Sequence, residues 1–147
     1  MIVVGAGVAG LTAVHQLATA GAPVTLVTAG RFGLDATALG NTALAQGGIA
    51  AALGHGDSSA SHALDTITAG AGLVNAAVAR LLAEDGIRRV NHLLAAGFPA
   101  DRDHSGQLIL GMEGAHGHAR IVHAGEDRSG AQLSSFLTDQ VQRHIST

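Results

Sequence analysis

An α/β fold opening on a parallel βαβ unit is what the sequence predicts, on three observations. The β-branched run Ile2-Val3-Val4 leads directly into Gly5-Ala6-Gly7-Val8-Ala9-Gly10. An apolar segment then runs from Val8 to Ala20, and Pro23 opens a second branched run, Val24-Thr25-Leu26-Val27-Thr28. Short continuous apolar runs read as parallel strands covered on both faces. Apolar residues on nearly every side of 8–20 predict a buried helix, with Gly21 as its C-terminal stop. The crossover between the two strands is expected to be right-handed.

Residues 36–56 contain no Asp, Glu, Lys or Arg and many Gly, Ala and Thr, a composition suited to backbone wrapped around a ligand. A helical pattern follows. Asp57-Ser58-Ser59 offers a cap for a helix running to about Gly70, Asn75 caps another through Glu84, and a third spans Gly86 to Ala96 before Gly97 and Pro99. Leu108-Ile109-Leu110 reads as a short strand, Gly111 to Gly130 as loop, and Ala131 to His144 as a final amphipathic helix. No repeat or low-complexity linker marks a second domain, and 147 residues fit one.

A chain of this length buries roughly 70% of its unfolded surface. With 3 Phe and no Trp or Tyr, the core must come from Ala, Leu, Val and Ile. A net charge of −3 and the absence of any Lys/Arg run argue against nucleic acid as a partner. The lack of cysteine excludes disulfides, thiolate metal sites and Cys nucleophiles, and suits a cytoplasmic protein. No charged residue precedes Arg31, yet there is no basic leader segment, and Gly21-Ala22-Pro23 divides the stretch into pieces too short to cross a bilayer. No membrane association is expected.

Gly5, Gly7 and Gly10 form G-x-G-x-x-G between strand and helix. In that context the first glycine makes the tight turn, the second lets backbone approach a pyrophosphate, and the third lets helix and strand pack closely. The helix N-terminus adds free N–H groups and partial positive charge. The expected ligand is a dinucleotide held at the turn of Gly5, Gly7 and Gly10. A nicotinamide enzyme would end the second strand in an Asp or Glu for the ribose. Here it ends Thr28-Ala29-Gly30, and Thr28 offers a single hydroxyl.

The stretch Gly40-Asn41-Thr42-Ala43-Leu44-Ala45-Gln46-Gly47-Gly48-Ile49-Ala50-Ala51 resembles the flavin loop of the L-aspartate oxidase branch of the succinate dehydrogenase and fumarate reductase flavoproteins. The likeness continues in order through Asp57-Ser58, Ser61-His62, Asp65-Thr66, residues 69–73, Gly97-Phe98-Pro99, Asp101-Arg102, residues 113–118 and residues 120–124, covering essentially the whole chain. It implies a Rossmann-like FAD-binding domain that is incomplete relative to the family: residues 1–147 correspond to its N-terminal part, without the capping and C-terminal helical domains.

The resemblance further implies FAD as cofactor, with Ala6, Gly7, Val8 and Ala9 on the pyrophosphate, Asn41, Thr42, Ala43, Leu44, Ala45, Gln46, Gly47 and Gly48 beside the flavin, and Thr28 near the ribose. Relatives that bind flavin covalently carry His where Asn41 stands, so the FAD is expected to be non-covalent. Glu113 matches the family glutamate that orients the amino-acid substrate, while Met112 and Ala119 replace residues that are typically Arg, and Ala29 replaces a usual Lys. The reaction implied is oxidation of L-aspartate to iminoaspartate with O₂ or fumarate as electron acceptor, and a product hand-off to quinolinate synthase in NAD biosynthesis. Two other readings stay open: a succinate dehydrogenase or fumarate reductase flavoprotein, against which Asn41 argues, and a non-catalytic FAD-binding module. His116, His118 and His123 are good metal ligands in type, but with no Cys and no clear fourth ligand they are read as loop residues, not a metal site. Asp101-Arg102-Asp103 is read as a surface turn with one ion pair.

Overall fold

A computed structural model describes residues 1–30, 32 and 41–145; Gly40 and the 36–39 portion of the uncharged stretch lie outside the described residues. The chain divides into two compact units, Met1–Gly47 with Asp127–Thr147, and Gly48–Glu126.

In the first unit β1 (Ile2–Val4) pairs in parallel with β2 (Thr25–Val27), in the register Ile2↔Thr25, Val3↔Leu26, Val4↔Val27. Between them runs α1 (Val8–Thr19), which ends as Ala20 and Gly21 turn out of the helix, Gly21 at φ +73°. The βαβ reading is therefore met. The expectation of burial on both faces is not: Ile2 and Val4 are 73% and 79% exposed, and only Val3 turns toward α1. Likewise α1 buries only Leu11 and Val14 rather than its whole circumference. The strands' exposure has a direct cause. Among the described residues this sheet has two strands and α1 on one side, so its opposite face has no covering layer.

Two further elements complete the unit. The short α2 (Asn41–Leu44) lies in the segment read as ligand-wrapping loop, and α5 (Ser129–Gln142) is the expected final helix, starting two residues earlier. Leu133, Leu137 and Val141 recur at helical spacing along α5 and are buried, as are Leu11 and Val14 of α1, against which α5 packs.

The second unit contains β3 (Ile49–Ala50), α3 (Ser59–Ala69), α4 (Ala76–Ala95), β4 (Leu110–Gly111) and β5 (Ile121–Val122). The strands form an antiparallel sheet in the order β3-β5-β4. β5 sits inside the 111–130 stretch expected to be loop, and the expected 108–110 strand moves to Leu110–Gly111, with Leu108 in an isolated bridge to Arg102. Strands of two residues are shorter than any hydrophobic period can register.

The caps fall where expected: Ser58 Oγ accepts from Ser61 N at 3.1 Å, and Asn75 Oδ1 accepts from Ala77 N and Val78 N. The two helices expected over 75–84 and 86–96 are one, because Gly86 inside α4 costs about 1 kcal/mol relative to Ala without breaking it. Asp85 braces that point, paired three and four residues on with Arg88 and Arg89. The core here is Ala51, Ala52, Ala63, Ala79, Ala83, Val90, Phe98, Ala100, Ile121, Val122 and Ala124, small and aliphatic as composition demanded.

Candidate functional site

The glycine turn is built by sterics that only glycine satisfies. Gly5 has φ +101° and donates its N–H to Val27 O at 2.8 Å, tying the turn to the end of β2. A Cβ on Gly10 would fall inside the contact radius of Gly5 O and 3.0 Å from Gly5 C, so α1 lies directly on the turn. Gly7 is the N-cap and brings no side chain to it, and no acidic residue occupies the first turn of α1. The N–H groups of Ala9 and Gly10 consequently have no intrahelical acceptor, and they carry the positive end of the helix dipole. Such a turn can hold an anionic group through backbone alone.

The second candidate segment joins it through one side chain. Thr42 Oγ1 accepts from Val8 N at 3.3 Å, and a Cβ on Gly7 would sit 3.4 Å from the same oxygen. The structure thus brings Gly7, Val8 and Thr42 together, with Asn41, Ala43, Leu44, Ala45, Gln46 and Gly47 in the same unit, of which Asn41 and residues 44–47 are exposed. Thr28 follows β2 and is half-buried. Gly48 belongs to the second unit, where a Cβ would collide with Ile121 Cγ2 and lie 2.5 Å from Val122 O, a packing requirement of the β3-β5 pair.

In the second unit, Glu113 stands exposed on a turn in which His116 N donates to Glu113 O at 3.3 Å and Ala115 takes φ +69°. That φ is uncommon for a residue with a Cβ and marks a locally strained turn. The strain is held from behind. Gly117 N donates to Asp65 Oδ2 at 2.8 Å, linking the turn to α3.

Sequence reading gave no role to the group that organises this region. The Arg120 side chain is 0% exposed; Nε and Nη2 donate to Asp57 Oδ2 and Oδ1, both at 2.9 Å, and Nη2 also reaches Ser61 Oγ at 3.3 Å. Its Nη1 lies 2.9 Å from Asp65 Oδ2, off the hydrogen-bonding direction, so that contact is an ion pair without a hydrogen bond. A signal for it exists in the sequence: Asp57, just before the cap of α3, and Ser61 and Asp65 on that helix recur every four residues, a spacing that calls for a cation.

His62 and His116 lie beside this network with ring centroids 5.6 Å apart, and the Nδ1 atoms of both are buried without a hydrogen-bond partner among the described residues. Burial, then the charges of Arg120 and His116, hold His62 below its ordinary value, which favours the neutral imidazole. No group of three His, Cys, Asp or Glu among the described residues is arranged to hold a metal ion. The Asp101-Arg102-Asp103 turn differs from expectation, since among the described residues it makes no ion pair: Arg102 Nη1 donates to Gly106 O, Asp103 Oδ1 accepts from Ser105, and Asp101 accepts from Gly125 N and Glu126 N. An open depression of about 550 Å³ beside it, lined by Asp101, Arg102, Ile109, Gly111, His123 and Glu126, includes none of the candidate cofactor residues and not Glu113.

Asp65 supplies a pH-dependent part of stability. The hydrogen bond from Gly117 N–H, and next the charge of Arg120, hold its carboxyl below the usual range. The unfolded chain therefore takes up the proton first as pH falls. Stability contributed by the ionised carboxylate is complete above about pH 5 and is lost below about pH 4, through the folded value. Urea unfolding midpoints are expected to drop across that window, and Asp65→Asn to flatten the drop. A variant profile parallel to that of the parent protein contradicts this.

The chain belongs to the FAD binding domain family, whose model matches residues 1–146. Its curated relatives include an L-aspartate oxidase of Streptomyces coelicolor, 44% identical over 142 residues, which are 97% of this chain and 24% of that protein. One of Mesorhizobium japonicum is 41% identical over 143 residues, 97% and 26% of the respective chains. The chain thus spans about a quarter of the length of these relatives. Among solved structures, the Mycobacterium smegmatis Sdh1 complex in its apo form matches with a TM-score of 0.83 and 34% identity, covering 95% of this chain and 23% of that one. E. coli quinol fumarate reductase matches with a TM-score of 0.84 at 24% identity, 98% and 24% covered, a likeness of fold alone. No helix among the described residues is long and apolar enough to cross a membrane.

Proposed function

We propose that this chain is the FAD-binding N-terminal portion of a cytoplasmic flavoprotein that oxidises L-aspartate to iminoaspartate, with O₂ or fumarate as electron acceptor, and passes its product to quinolinate synthase for NAD synthesis. The observation that carries the cofactor assignment is the backbone cradle at the head of α1, closed by Gly5 and Gly10 and joined by Thr42. The likeness to curated L-aspartate oxidases over 97% of the chain supports the substrate. The capping and C-terminal helical domains belong, in this reading, to the part of the relatives outside the matched quarter.

FAD, when bound, supplies a two-electron acceptor for the substrate Cα–H bond. The chain's own groups bind and orient. Ala9 and Gly10 N–H would hold the pyrophosphate, residues 41–47 would line the flavin, and Thr28 would offer the ribose a hydroxyl. Asn41 has an amide that does not form the ring-nitrogen bond a histidine makes to flavin, so the cofactor is held without a covalent link. Glu113 presents a carboxylate for the substrate ammonium.

The test is peroxide formation from L-aspartate by the purified full-length protein. Glu113→Gln is expected to raise the KM for L-aspartate about tenfold, the worth of about 1.4 kcal/mol of charge-assisted binding, with a smaller change in kcat. Succinate-dependent dye reduction without aspartate turnover would instead favour the reading suggested by the 34% identity to the Mycobacterium smegmatis Sdh1 chain. FAD binding without either activity would favour a non-catalytic module.

A further inference from the structure

We infer that the first turn of α5 is the seat that fixes the Asn41–Ala45 segment against the head of α1, and that Gly130 is a positioning residue for FAD; this rests on the cofactor reading above. Gly130 N donates to Ala45 O at 2.9 Å. A Cβ at Gly130 would overlap Thr42 O and lie 2.7 Å from Ala45 O and 2.9 Å from Ala45 Cβ. Backbone meets backbone here, so no side-chain rotation relieves the overlap.

The segment itself has little to hold it. A helix of four residues such as α2 does not repay the cost of its own nucleation, and its last carbonyls need donors from elsewhere. The start of α5 supplies one, Gly130 N to Ala45 O just past α2, and no acidic side chain in its first turn and no side-chain bond from its N-cap, Arg128, competes there. α5 cannot give way, because Leu133, Leu137 and Val141 are buried where it packs on α1. Bulk at Gly130 must therefore displace Thr42 and Ala45. Thr42 then carries the displacement to Val8 N, the first N–H of the phosphate-facing turn, through its 3.3 Å hydrogen bond. Gly130 lies outside the glycine turn of α1 and acts on it through Thr42 and Ala45.

The experiment is an equilibrium titration of the full chain with FAD, followed by flavin fluorescence, for the unsubstituted protein, Gly130→Ala and the control Ser135→Ala on the exposed side of α5. Gly130→Ala is expected to raise the Kd for FAD at least tenfold and alter the visible circular dichroism of the bound flavin, while far-ultraviolet spectra of the three apo proteins superimpose. Ser135→Ala is expected to leave the Kd unchanged. A folded Gly130→Ala protein whose Kd and flavin spectrum match the parent overturns the inference. Should that variant not fold, hydrogen exchange in the unsubstituted protein decides: FAD must slow exchange at the Gly130 N–H together with residues 41–47, and slowing at 41–47 alone overturns it. An unsubstituted chain that does not bind FAD at all defeats the cofactor reading, and this inference falls with it.

Discussion

Arg120→Met is expected to cost about 3–5 kcal/mol of stability, the usual penalty for removing one member of a buried ion pair. The guanidinium and the Asp57 carboxylate are both fully buried, joined by two hydrogen bonds of 2.9 Å. Methionine fills much of the volume but leaves Asp57 charged with no cation and no access to water. The loss also releases the Glu113–His118 turn, because Asp65, which holds Gly117 N, loses its counter-ion. The urea midpoint for unfolding of residues 48–126 should fall accordingly. Asp57→Leu added to Arg120→Met should recover part of the loss, since no unpaired charge then remains buried. A single variant as stable as the parent would show that the network adds nothing.

Gly10→Ala is the second large effect, and it acts on binding. The added methyl overlaps Gly5 O, a backbone atom in a turn already fixed by the hydrogen bond from Gly5 N to Val27 O. α1 must move off the strand, at a cost of about 1–3 kcal/mol for an overpacked contact, and its first N–H groups move with it. Moving those N–H groups away from the phosphates is expected to weaken FAD binding about ten- to a hundredfold, the equivalent of about 1.4–2.8 kcal/mol. Isothermal titration with FAD measures it. Retained affinity in Gly10→Ala would mean that these N–H groups do not meet the phosphates.

What the sequence disclosed, and what it withheld, follows the range of the interactions. Ile2–Val4, the glycine turn and α1 were legible because a branched run, a three-glycine spacing and an apolar helix are contiguous. Ser58 and Asn75 were legible as caps because each side-chain oxygen serves N–H groups two or three residues on. The Arg120 network was not, because its bonds to Asp57 cross 63 residues and a lone arginine in a polar stretch is ordinarily solvated. The seat of Asn41–Ala45 on Gly130 was hidden for the same reason, since the hydrogen bond from Gly130 N to Ala45 O joins residues far apart in the chain. β3 and β5 are too short to leave a periodic trace, and Gly86 was over-weighted as a breaker where i,i+3 and i,i+4 charge pairs hold the helix across it.

The proposed function turns on a non-covalent FAD held by the Gly5–Gly10 turn and the Asn41–Gly47 segment. Saturating the full-length protein with FAD, desalting it and precipitating it with acid tests that claim most directly. The expected result is one FAD per chain, all of it released intact into the supernatant. A colourless protein after desalting, or flavin retained in the precipitate, would contradict it.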